Sequence, residues 1–214
     1  MTTKQRDRHV RALATPRAAA LAGVLFALIF GTALVLIHLA LPEGGAPGSQ
    51  WVDASSHHIK IASILMPFAG IAFLWFIGVV RDGFGGFEDK FFSSVFIGSG
   101  LLFLAMIFVS SAVGVALTRT SGEMAVFGQT MLLTLSKTYA LRMAAVFMMS
   151  LATIWLKTGL MPKWLVGLTY LAAVGLMISA DLTMWLTVAF PCWVLVVSVL
   201  LLMRAGVIDL DRDD

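Results

Sequence analysis

The sequence predicts an all-α polytopic membrane protein, a bundle of six transmembrane helices with both termini cytoplasmic. Three observations carry this. Of 214 residues, 59% are hydrophobic and only 13% charged, whereas about a quarter of the residues of a soluble domain are charged. The apolar residues fall in runs of about 20, the length that crosses ~30 Å of hydrocarbon. The charges gather between those runs. The length suits one compact domain, divided into a basic cytoplasmic segment 1–17, a transmembrane domain 18–204 and an acidic tail 205–214. A net charge of +3 is modest, and its distribution suggests no nucleic-acid partner. The single cysteine, Cys192, lies inside an apolar run and excludes an intramolecular disulfide.

The basic segment holds Lys4, Arg6, Arg8, Arg11 and Arg17, which favour the cytoplasmic face. The apolar run after it, 18–41, is too long for a signal-peptide core and is followed by no small-residue cleavage site. It is expected as an uncleaved first helix. Ala19, Gly23, Ala27 and Gly31 recur every four residues along it, a stripe that lets another helix approach closely. That helix belongs either to the same chain or to a partner. Residues 42–56 are rich in Pro, Gly and Ser and form an outer loop, with Trp51 suited to the interface and Asp53 placed to cap the next helix. The second helix spans about 55–80 with Pro67 inside it, where the lost N–H is expected to bend the chain.

A short charged hairpin follows: Arg81, Asp82, Gly83, Phe84, Gly85, Gly86, Phe87, Glu88, Asp89 and Lys90. The glycines permit a tight turn, and the charges keep it out of the hydrocarbon. Local ion pairs explain it as a self-neutralising loop. Arg81, Asp82, Glu88, Asp89 and Lys90 also make it the candidate docking surface for another membrane subunit. No Lys-Ser/Thr follows the glycines, so a phosphate loop is disfavoured.

The stretch 67–100 resembles a group of small, uncharacterised multi-pass integral membrane proteins of actinobacteria. The resemblance rests on PFAGIAFLWFIGVVRD (Pro67 to Asp82), the acidic Glu88-Asp89-Lys90, and FFSSVFIGSG from Phe91 onward. It covers roughly a third of the chain in detail. It implies a membrane fold and a bacterial plasma membrane, and it brings no catalytic residue.

The third helix is expected over about 91–117, with Ser94, Gly98, Ser110 and Gly114 as further small-residue pairs. A turn at 118–123 precedes 124–137, which is either a short helix lying in the interface or an extension of helix four (about 138–157). Helix five is expected over about 164–180. Helix six is expected over about 181–203, with Pro191 as a second mid-helix kink. On this topology eleven basic residues lie inside: Lys4, Arg6, Arg8, Arg11, Arg17, Arg81, Lys90, Lys157, Lys163, Arg204 and Arg212. Four lie outside: Lys60, Arg119, Lys137 and Arg142. The asymmetry supports cytoplasmic termini.

Chemistry-bearing residues are sparse. His38, His57 and His58, with Asp53, lie towards the outer face and could ligate zinc or copper. Interfacial histidines hydrogen-bonded to water and headgroups are the simpler account. Arg142 and Asp181 could form a structural ion pair joining helix four to the 5/6 hairpin. Snorkelling of Arg142 and capping by Asp181 is the simpler account. No carboxylate lies deep in a span, which disfavours an ion-coupled pump. No resident cofactor or metal is expected, and no nucleophile–base pair is recognisable.

The leading expectation is a non-catalytic accessory or stabilising subunit of a larger envelope complex, with a lipid-transport machine as candidate host. Its partners would be the lipid bilayer, other membrane subunits and, as an open option, a second copy of itself. The alternatives are a small transporter or channel for lipidic or apolar solutes, and a membrane metal or haem protein using the outer histidines.

Overall fold

A computed structural model describes residues 3–40, 53–83, 90–179 and 184–204. Among them all regular structure is helical. The elements are α1 (Thr3–Ala40), α2 (Asp53–Asp82), α3 (Lys90–Leu117), α4 (Glu123–Leu133), a π-helical segment (Thr134–Ala140), α5 (Leu141–Thr158), α6 (Lys163–Ser179), a 3₁₀ segment (Met184–Val188) and α7 (Ala189–Arg204). Five helices are long and apolar enough to cross a membrane: within α1, in α2 and α3, the continuous run 123–158, and 185–203. The apolar α6, of 17 residues, is shorter. At 1.5 Å per residue it reaches roughly 26 Å.

The basic segment does not precede the first helix but forms its beginning. α1 runs for 38 residues from Thr3 and continues through Pro16. The stretch 124–137, left open by the sequence, is the extension of helix four. It stands against α3 rather than lying across the bundle. Space beside Gly128 is taken by Leu117, beside Gly114 by Leu132, and beside Gly100 by Phe147. Lys157 sits over the Phe92 ring at 4.7 Å. Partners thus recede along α3 as they advance along the α4–π–α5 run, so the two are antiparallel along their whole lengths. The run stops at Gly159, whose φ of 67° is the left-handed conformation of a helix C-terminus and whose N–H donates to the Trp155 carbonyl at 2.9 Å.

Helix six also differs from expectation. A 3₁₀ segment precedes α7, and Pro191 is the third residue of α7 rather than a mid-helix residue. In the first helical turn the missing N–H removes no intrahelical bond, so the proline is tolerated there. Pro67 does lie inside α2, and it is exposed.

α1 packs between α2 and α7, α3 between α2 and α5, and α6 on the far side of α5. What they enclose is aromatic. Phe26 from α1, Phe73 from α2, Phe103 from α3, Phe147 from α5 and Phe190 from α7 all meet in the middle of the bundle. Phe73 alone faces five other rings, at centroid distances from 4.6 Å to Phe26 up to 6.2 Å to Phe76. Most of these contacts are edge-on or tilted, the arrangement favoured by the ring quadrupole. Hydrophobicity alone does not separate a lipid-facing from an interior phenylalanine, since lipid tails are as apolar as a protein core. The structure turns the largest group inward, because five helices each contribute one at the same depth.

Candidate functional site

The small-residue stripe on α1 serves the chain itself. Gly23 and Ala27 are buried. A Cβ at Gly23 would overlap the Ser198 hydroxyl of α7 and stand 2.8 Å from Phe76 Cδ2 of α2. The two residues are therefore covered by neighbours in the same chain and unavailable to a partner. Gly31 differs, since a Cβ there would meet nothing within 4 Å. Ala19 has no described side-chain environment.

The charged hairpin is described only at its edges. Arg81, Asp82 and Lys90 are exposed, at the end of α2 and the start of α3. Glu88 and Asp89 lie outside the described residues. So does Asp181, the expected partner of Arg142, which is itself half-buried one residue into α5. Among the described residues no group of three or more His, Cys, Asp or Glu side chains could hold a metal ion.

Buried polar residues are spread along the bundle, with Ser93, Ser99, Ser150, Thr169 and Ser198 away from the end where α1 and α3 finish and α2 begins, and His38, Ser110 and Thr187 at it. His38, in the last turn of α1, is buried to 7% exposure. Its Nδ1 lies 2.8 Å from the Leu34 carbonyl. A carbonyl only accepts, so Nδ1 carries the proton. In the neutral ring Nε2 then presents a lone pair, and that atom is buried with no partner among the described residues. The ring lies 4.7 Å from Trp185 of the 3₁₀ segment. Sequence reasoning puts His38 at a wet interface. The structure buries it, because the 3₁₀ segment folds back over the end of α1.

Beside His38 and one turn deeper, Ile37 and Leu34 form part of the wall of a cavity of ≈ 30 Å³. Its other walls are apolar side chains from α2, α3 and α4, with hydroxyls from four elements: Ser63, Ser110 with Ser111, Ser136 and Thr187. No charged side chain lines it. Ser136 belongs to the π-helical segment, a geometry that often accompanies functional sites. The Ser136 hydroxyl donates to the Leu132 carbonyl at 2.7 Å. Ser110, exposed to only 5%, has no partner for its hydroxyl. Ser110 and Gly114 were legible only as a packing pair four residues apart. That Ser136 and Thr187 join them had no signal, since those residues lie 26 and 77 positions further along the chain.

The chain matches no protein-family model, no curated protein and no solved structure.

Proposed function

We propose that this is a non-catalytic, six-crossing integral membrane protein of the plasma membrane, with cytoplasmic termini. It acts as an accessory or stabilising subunit of a larger envelope complex, with lipid transport as the candidate host function. The observation that carries the reading is the closed aromatic centre. A carrier or pump needs a route through the bilayer midplane, commonly marked by buried ionisable residues. Here rings from five helices fill the middle, and the buried polar residues among those described include no Asp, Glu, Lys or Arg. The hydroxyl-lined cavity is bounded by neither Pro67 nor Pro191 and is far smaller than a lipidic solute. An interior of this kind suits a protein whose task is to hold a shape and present a surface. The exposed Arg81, Asp82 and Lys90, with Glu88 and Asp89, supply the candidate docking charges.

The test is purification of the tagged chain from native membranes in mild detergent, sized by native mass spectrometry. The expected result is a fixed stoichiometry with other membrane subunits that is lost on Arg81→Ala with Asp82→Ala. A lone monomer or homodimer in several detergents would overturn the reading. Single cysteines at positions 4 and 210, in a Cys192→Ser background, test the sidedness. Both should stay unlabelled by an impermeant maleimide in intact cells.

A further inference from the structure

Many serines and threonines of this bundle share one habit, and Ser110, like Ser198, departs from it. Ser94, Ser99, Ser136, Ser150, Thr153 and Thr158 each donate to the carbonyl four residues back, at 2.7 to 2.8 Å. This is how a hydroxyl in an apolar helix satisfies itself without a second molecule. Ser110 has the same option and does not take it. Its oxygen is buried, bonded to nothing, and on the wall of the cavity. Leaving such a hydroxyl unpaired forfeits the hydrogen bonds it makes to water in the unfolded chain.

We propose that the cavity is a hydration site, holding one or two water molecules bound to Ser110. Size and charge select this guest, and the Ser110 hydroxyl anchors it. A volume of ≈ 30 Å³ admits about one or two waters and no larger ligand. The absence of any charged side chain in its lining leaves an ion without a counter-charge. An apolar guest would leave the Ser110 hydroxyl unsatisfied, whereas water supplies both a donor and an acceptor. Ser136 spends its proton on the Leu132 carbonyl and keeps oxygen lone pairs for the guest. Ordered water in a protein interior typically makes about three hydrogen bonds, and the lining hydroxyls are the partners available. The water sits between the π-helical and 3₁₀ segments, both of which contribute lining residues. It makes this end of the bundle wet while the aromatic middle stays dry.

The test is X-ray hydroxyl-radical footprinting of the full chain in lipid nanodiscs, read residue by residue by mass spectrometry. Radiolysis of a bound water oxidises the methionine beside it even where bulk solvent does not reach. Met66 lines the cavity at 3% exposure, and Met148 lies in the dry core at 0%. Met66 is expected to form sulfoxide about tenfold faster than Met148. Ser110→Ala should slow Met66 several-fold. Gly114→Ala should do the same by narrowing the cavity, because its Cβ would lie 3.2 Å from Leu132 Cδ1 and 3.5 Å from Ile59 Cγ2. Met148 remaining silent reports that each variant is folded, and if one variant exposes it, the other decides. Equal rates at Met66 and Met148 in the wild type, or a Met66 rate unchanged in the folded variants, would overturn the proposal.

Discussion

Replacing single glycines by alanine should separate the surfaces of this bundle by sign. Each Gly→Ala change in a helix gains about 0.5–1 kcal/mol from the lower backbone entropy of the unfolded chain. The structure then decides what the new methyl group meets. At Gly31 it meets nothing within 4 Å, so Gly31→Ala keeps the full gain and stabilises. At Gly70 it meets the Phe108 ring, whose Cε1 would lie 2.7 Å away. That ring is 39% exposed and can swing outward, so gain and cost nearly cancel. At Gly23 the methyl overlaps Ser198 Oγ and stands 2.8 and 3.0 Å from Phe76 Cδ2 and Cε2. Ser198 and Phe76 are both at 0% exposure and have no free side to retreat to. Overpacking of this kind costs about 1–3 kcal/mol, so Gly23→Ala should lose about 1–2 kcal/mol net. Adding Ser198→Ala removes the overlapped hydroxyl and should recover part of the loss. The assay is reversible unfolding in mixed micelles followed by tryptophan fluorescence. The expected order of stability is Gly31→Ala above wild type, Gly70→Ala close to it, and Gly23→Ala below. Equal stability of Gly23→Ala and Gly31→Ala would refute the assignment of the α1 stripe to internal packing.

Phe73→Ala opens the centre of the aromatic cluster and should cost about 3–5 kcal/mol by the same unfolding assay, while the exposed Phe91→Ala stays within about 0.5 kcal/mol. The buried Trp193 Nε1 donates to Thr169 Oγ1 at 3.1 Å. Thr169→Val should therefore cost about 1–3 kcal/mol by orphaning the indole N–H, and less in a Trp193→Phe background. Ser198→Ala in the wild type deletes a buried, unpartnered hydroxyl and should be neutral or slightly stabilising by the same unfolding assay. Cys192 is exposed on α7, a helix apolar enough to span. It should resist a water-soluble maleimide in nanodiscs yet react with a lipid-soluble one, and ready labelling by the former would argue against α7 as a span.

Composition and spacing alone predict a helical chain with segments long and apolar enough to cross a membrane, and the structure has five such helices among the described residues. Runs of about 20 apolar residues with charges between them leave no other way to satisfy the backbone in hydrocarbon. The edges of α2 and α3 are legible to within two residues because Asp53, the charged hairpin and the 118–122 turn punctuate them. Local signals could not decide what depends on long-range packing. Residues 124–137 lack a decisive period, and only their fit along α3, Gly128 against Leu117 and Leu132 against Gly114, makes them upright. The Gly23 stripe reads equally as an internal or an external contact until Phe76 and Ser198 are seen to fill it. His38 reads as interfacial until Trp185, 147 residues later, covers it. The hydroxyl cavity exists only because helices distant in sequence leave a gap that none of them encodes alone. Hydrophobic pattern decides which segments are long and apolar enough to cross a membrane, since each helix meets that condition separately. Which face of each helix turns inward is settled by side-chain fit among all of them at once.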